Sequence, residues 1–307
     1  MSDADLTPGW QWAAQQARRP DSGILQVELA PGVPMFFSHV PATPPEGFRM
    51  GSRGKMKDQE PRHRVCITRP FLLSTFPVTQ AQWQALMGTT VLEMKARGDI
   101  RFGKAVEADD DVAGLGPLHP MYFITWNEAL DFARNFKKRF PGCVGGLPTE
   151  AQWECACRAG TTTEYHTGDG VEALWRAGWF RENSNGSTQP VGLLERNAFG
   201  FYDMHGNVYE WCIDACRHDG YQERGTAPFD PCVDGKENWA REDWPHISRG
   251  GSWSTALAWM CESGYRFDCF DGWRRNTFGF RFCLPSFPLE FGHLRATGTT
   301  TGAKLVE

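Results

Sequence analysis

The chain has 307 residues, 41% of them hydrophobic and 22% charged, which suffices for a sizeable core in a single domain. Its 33 Gly and 20 Pro suit a loop-rich domain better than a repeat array or a helical bundle. A formal net charge of −5 supplies no basic footprint for nucleic acid, and the densest charge run, residues 107–111, is acidic and reads as a solvated loop.

No stretch approaches the roughly 18 apolar residues needed to span a bilayer, and Met1-Ser-Asp-Ala-Asp5 lacks the basic and apolar regions of an export signal. A cytoplasmic protein with no membrane partner is expected. Ten Cys, at 66, 143, 155, 157, 212, 216, 232, 261, 269 and 283, are therefore expected to be mostly buried free thiols. Cys155 and Cys157 would project to nearly opposite faces of a helix, and Cys212 with Cys216 has no second pair at zinc-finger spacing.

In chain order, residues 1–47 carry Pro31, Pro34, Pro41, Pro44 and Pro45 and read as an extended arm, with the folded domain spanning 48–285 and a tail over 286–307. Residues 48–52 and 65–68 read as an early hairpin, and residues 71–78 as a second strand pair. Thr79 caps a helix from Gln80 to Met87 that Gly88 stops. Residues 93–118 read as an irregular acidic insertion. Thr125-Trp-Asn-Glu128 is a capping box heading a helix whose apolar face is Ala129, Phe132, Ala133 and Phe136, and Thr149-Glu-Ala-Gln152 repeats the device ahead of Trp153. Two helices followed by many short strands with Trp and Gly punctuation give an α+β domain.

Five strings then stand out in order: His119-Pro-Met-Tyr-Phe-Ile-Thr-Trp126, Gly146-Leu-Pro-Thr-Glu-Ala-Gln-Trp-Glu154, Asn197-Ala-Phe-Gly-Phe-Tyr-Asp-Met-His-Gly-Asn-Val-Tyr-Glu-Trp211, Arg249-Gly-Gly-Ser-Trp253 and Phe278-Gly-Phe-Arg281. Together they resemble the formylglycine-generating enzyme, or sulfatase-modifying factor, superfamily from about Phe48 to about Leu284. The resemblance implies a C-type-lectin-like fold whose carboxy-terminal segment lines the ligand surface. It also implies a structural Ca²⁺ held by the side chains of Asp203 and Glu210 and the carbonyls of Gly206 and Val208; the local alternative is that Asp203 caps a turn and Glu210 pairs with an arginine. His205 has no His or Cys partner at metal spacing and reads as structural.

The enzymes of this superfamily carry two copper-binding cysteines three and eight residues past the Ser of Gly-Gly-Ser. Here those positions are Thr255 and Met260, or Ala258 for the second when counted back from Gly279, so no copper is expected and catalysis by thiol–copper chemistry is not. The iron-dependent sulfoxide synthases that resemble this domain add a helical, histidine-rich domain, whereas only one His precedes residue 48 here.

Between Trp253 and Phe278 a mixture of large apolar and polar residues is set in an intact Gly-Gly-Ser-Trp, Tyr-Arg, Gly-Phe-Arg frame. This is similar to the variable proteins of diversity-generating retroelements, with residues 249–281 as the variable segment. The expected ligand-binding residues are Ser254, Thr255, Leu257, Trp259, Phe267, Asp268, Phe270, Asp271, Trp273, Arg275, Asn276 and Thr277, of which Phe267, Asp268, Phe270, Asp271 and Trp273 are expected to be substantially exposed. A protein or peptide ligand is expected rather than a sugar, since no Glu-Pro-Asn or Gln-Pro-Asp motif occurs. The alternatives are an oxidoreductase-like relative acting through Cys261 or Cys269, and a regulatory pseudoenzyme.

Overall fold

The computed structural model of the chain describes residues 6–19, 22–52, 56–101, 104–106, 110–216, 221, 229–231 and 245–285. Two four-stranded sheets organise it. The first has the order β1-β2-β5-β12, built from Ile24–Ala30 (β1), Val33–Val40 (β2), Phe71–Ser74 (β5) and Cys283–Pro285 (β12), all antiparallel. The second has the order β10-β9-β8-β11, built from Arg266–Phe270 (β10), Pro245–Arg249 (β9), Tyr209–Ala215 (β8) and Phe278–Phe280 (β11), with β11 parallel to β8. The final strands β11 and β12 thus belong to different sheets, and the chain crosses between them at Arg281.

The capping signals fold as read. Helix α2 (Gln80–Met87), helix α4 (Trp126–Arg139) and helix α5 (Glu150–Arg158) each begin with a complete capping box at Thr79, Thr125 and Thr149. Helix α4 buries Ala129, Phe132, Ala133 and Phe136 and leaves Lys137 and Lys138 in water, as its periodicity requires. Its apolar face meets Trp83 of α2 and the Phe280 and Phe282 rings in the largest core cluster. The early hairpin forms as β3 (Phe48–Met50) against β4 (His63–Val65).

The amino-terminal reading is corrected: residues 8–40 are part of the fold, not an extended arm. Helix α1 (Pro8–Gln16) starts on Thr7, whose side chain accepts from Trp10 N, with Pro8 in the first turn, where a missing N–H costs nothing. Trp10 is buried, stacked on Phe76 and edge-on to Phe36. The prolines that suggested an arm occupy sites a sheet tolerates. Pro31 precedes Gly32 in the β1–β2 turn, where φ is +74°, and Pro34 lies on a stretch of β2 that pairs only with β1, because β5 begins pairing at Phe37.

The expected irregular insertion is more ordered than read. A helix, α3 (Val91–Ala96), has its own capping box at Thr90 and buries Met94, and the short strands β6 (Asp99–Arg101) and β7 (Lys104–Val106) pair after it. The described cysteines are free and buried; Cys232 and the tail 286–307 lie outside the described residues. Among the described residues no helix is long and apolar enough to cross a membrane.

If residues 8–40 are core, Trp10→Ala should lower unfolding stability by about 3–5 kcal/mol in a denaturant titration. An unchanged midpoint would return this region to the status of an arm.

Candidate functional site

The segment 249–281 is fixed by four arginines, each closed on a glutamate from another part of the chain. Arg249 at the end of β9 pairs with Glu154 of α5, and its other arm donates to the Tyr265 carbonyl. Arg266 at the start of β10 makes a two-pronged contact with Glu150 of α5, Nε to Oε1 at 2.8 Å and Nη2 to Oε2 at 2.9 Å, and donates to the Asp58 carbonyl at 2.9 Å. Arg274 grips Glu128, the capping-box residue of α4, and donates to the Phe123 carbonyl at 3.0 Å. Arg281 donates Nε to both Glu210 oxygens at 2.9 Å, while its Nη atoms reach the carbonyls of Ser74, Thr75 and Tyr202. All four guanidinium groups are buried. The sequence pointed to Arg266 and Arg281 as frame residues; the glutamates of α4 and α5 carried no signal beyond their helical positions.

Between these anchors the surface of the segment is divided. Leu257 and Phe270 are exposed at 50% and 45%, Asp268 is exposed, and Ser254, Trp259, Phe267, Trp273, Arg275, Asn276 and Thr277 are half-buried. Strand alternation separates them. Asp268 and Phe270 share one face of β10, whereas Phe267 turns to the other and stacks on Tyr209 with centroids 5.2 Å apart. Trp259 packs edge-on against Tyr265, and Trp273 sits between Phe270, at 5.7 Å, and the Arg275 guanidinium, at 5.4 Å. Arg275 also faces Asp110 at 3.6 Å, and Asn276 is tied to Asp110 and Asp111.

Phe267 and Trp273, expected to be substantially exposed, are half-buried against the main core, Phe267 because it turns to the inner face of β10 onto Tyr209, and two further face residues are buried outright. Thr255 is buried, because its hydroxyl accepts the Ser252 N–H at 2.9 Å and closes the turn after Gly-Gly-Ser. Asp271 is also buried: it pairs with His246 Nδ1, and the His246 ring lies on Trp126 at 3.8 Å. Nothing in the sequence linked His246 to Asp271, which is 25 positions away.

The expected Ca²⁺ ligands do not fit an ion. Glu210 is enclosed, with both oxygens on Arg281 and Oε2 also accepting Trp153 Nε1 at 2.6 Å. Asp203 receives the Gly192 N–H at 2.8 Å. The Gly206 carbonyl is engaged by Val208 N at 2.9 Å. Gly206 serves close packing instead: a Cβ there would lie 2.0 Å from the Trp179 carbonyl oxygen, and one on Gly178 would lie 1.4 Å from that of His205. Ca²⁺ requires oxygens with free lone pairs, and those of Glu210 are spent on Arg281 and Trp153; burial raises Asp203 to about 6 and Glu210 to about 7, with Arg281 pulling both back.

At the position of the expected thiol pair, the structure sets Cys261, not Met260 or Ala258, beside Thr255. Burial pushes the Cys261 thiol up to about 12, with Thr255 and Ser252 pulling it back. Cys269 packs in a different cluster, so the two thiols do not form a pair. His205 is structural as read. Its Nδ1–H donates to the Cys261 carbonyl at 2.8 Å, Nε2 accepts from His166 N at 3.2 Å, and burial lowers its pKa far below the usual histidine range.

Breaking one anchor leaves a buried charge without its partner, so Arg266→Ala should cost about 3–5 kcal/mol in denaturant unfolding; a loss under about 1 kcal/mol would remove the anchor from the account. Asp203 gives a pH test. Burial raises its folded pKa above the ordinary 3.8 to about 6, so the stability carried by the protonated form is lost as pH climbs through that window. Asp203→Asn should therefore gain on the parent between those pH values, and EGTA should leave both melting temperatures unchanged. A chelation-sensitive parent would restore the calcium ligand set.

Residues 40–284 match the sulfatase-modifying factor enzyme 1-like domain. The chain is 29% identical over 249 residues to the serine/threonine-protein kinase pkn1 of Chlamydia caviae, a match covering 76% of this chain and 36% of that protein. It is also 29% identical over 221 residues to the formylglycine-generating enzyme of Mycobacterium tuberculosis, covering 55% of this chain and 71% of the enzyme. The chain thus spans little more than a third of the length of the kinase-named relatives. Among solved structures, Treponema denticola variable protein 1 superposes with a TM-score of 0.67 at 22% identity, over 86% of this chain and 99% of that one. PvdO from Pseudomonas aeruginosa superposes with a TM-score of 0.66 at 26% identity, over 85% and 98%. The fold is the expected α+β, C-type-lectin-like type, and the chain belongs to the sulfatase-modifying factor enzyme 1-like domain family.

Proposed function

We propose that this protein is a non-catalytic ligand-binding member of its family, of the variable-protein kind, and that it binds a protein or peptide through the exposed residues of 253–277. The observation that carries this reading is the separation of roles within one short segment. Arg249, Arg266, Arg274 and Arg281 are buried on glutamates, while Leu257, Asp268 and Phe270 between them reach solvent. Side chains that hold no part of the core are free to be exchanged for ones that hold a ligand, and large rings with mixed polar groups are what binding faces use. The similarity in fold to a protein named a variable protein agrees with this use of the scaffold.

Thiol–copper oxidation is the competing reading. Cu(I) prefers two soft thiolates, and here a threonine hydroxyl stands beside one protonated thiol. Oxygen uptake by the protein supplied with Cu(I) and a cysteine-containing peptide should match the protein-free control; uptake that Cys261→Ser abolishes would make this an oxidoreductase. The variable-protein reading is tested at the coding locus. A near-copy of the segment's 3′ end differing at adenines, beside a reverse-transcriptase gene, is the expected finding, and the absence of both would leave an ordinary, non-diversified paralogue.

A further inference from the structure

Strand β10 closes one side of the second sheet: its hydrogen-bonded neighbour is β9, and among the described residues no strand lies on the other side. The outer row of an antiparallel edge strand leaves alternate N–H and C=O groups without ladder partners, though in β10 the Phe270 carbonyl is already closed by Trp273 N at 3.0 Å. On the face that carries Arg266, the next residues outward are Asp268 and Phe270, and Arg266 itself is held down on Glu150. Arg266 also draws the turn at 57–59 alongside by its bond to the Asp58 carbonyl. This turn brings a second carboxylate to the strand. Asp58 Oδ1 is enclosed and has no hydrogen-bond partner, and neither Asp58 nor Asp268 makes an ion pair among the described residues. Burial raises the pKa of Asp58, Arg266 pulls it back, and Asp268 adds to the rise, so the two carboxylates lie close enough to act on one another. Lys57 is the exposed cation of the same turn. Met56 and Phe270, each two positions along the chain from one of these acids, are 45% exposed.

We propose that the edge of β10 left unpaired among the described residues accepts an extended, cation-bearing segment of a partner protein as an added strand, with Asp268 and Asp58 receiving its lysine or arginine and Phe270 its apolar neighbour. The inference rests on the reading of 253–277 as a binding face and names the chemistry of its partner. Added strands gain affinity from the main chain and specificity from alternate side chains, and here the alternate positions are an acid and an aromatic ring. The same charges disfavour a second copy of this chain, because an antiparallel pair centred on Asp268 would set like charges opposite one another.

The test uses the full chain and labelled peptides in fluorescence anisotropy: one alternating valine with lysine, one alternating valine with glutamate, and the lysine peptide with alternate backbone amides N-methylated. The lysine peptide is expected to bind on the order of tenfold more tightly than the glutamate peptide, as opposed charges require, and N-methylation should abolish binding. Asp268→Lys should reverse the preference and Asp58→Asn should weaken binding several-fold, with melting temperatures confirming that both variants are folded. Equal binding of the two charge types, indifference to N-methylation, or no binding of any peptide overturns the proposal, Asp268 then serving only to guard an edge. The locus test above is independent of these outcomes, so the binding-face reading and the added-strand reading can fail separately.

Discussion

The constraint on which this structure depends is the burial of arginine against glutamate. Taking a guanidinium and a carboxylate out of water costs several kcal/mol per ion, and the cost is recovered only where geometry is good and every remaining donor finds an acceptor. Arg266 and Arg281 come closest to that condition, whereas among the described residues the buried Nε of Arg249 and of Arg274 finds no hydrogen-bond acceptor; all four share one further device. Beyond its glutamate each donates to a backbone carbonyl outside the regular ladders: Tyr265 for Arg249, Asp58 for Arg266, Phe123 for Arg274, and Ser74, Thr75 and Tyr202 for Arg281. A loop-rich chain has many such carbonyls and few strands to satisfy them. The arginines therefore join elements electrostatically and complete the hydrogen bonding of turns that would otherwise be buried unsatisfied.

Those contacts set what the segment can do. Arg249 and Arg266 are opposite one another across β9 and β10, and their glutamates stand one helical turn apart on α5, so a single helix fixes the two strands. Arg281 fixes the crossing between the two sheets. What remains is the outer face of β10 and the half-buried side chains of the 3-10 turn at 258–261 and the loop at 271–277, apart from the buried Cys261, Asp271 and Arg274; of these Trp259 and Trp273 pack at the rim of the main core. A frame that holds without these side chains allows them to differ, whether they serve a ligand or nothing.

Local structure was legible where the chemistry is local. The capping boxes at Thr79, Thr125 and Thr149 placed three helices, and the period of α4 named its buried face, because the interacting residues lie three or four apart. Proline content misled at residues 1–47, since a proline beside an unpaired stretch of strand is indistinguishable in sequence from one in an arm. Exposure is as expected at Asp268 and Phe270, lower than expected at Phe267 and Trp273, and absent at Thr255 and Asp271, whose burial comes from partners, Ser252 and His246, that no periodicity reveals. Glu210 illustrates the same limit. Its string suggested an ion, and its partner in the structure is Arg281, 71 positions away.

The partition between frame and face is tested most directly by saturating residues 249–281 with substitutions and measuring the folded fraction of every variant. The account predicts that Arg249, Arg266, Arg274 and Arg281 reject nearly all replacements, while Ser254, Leu257, Asp268, Phe270 and Trp273 accept most of them. Equal tolerance at the two sets, or intolerance concentrated at Asp268 and Phe270, would contradict it.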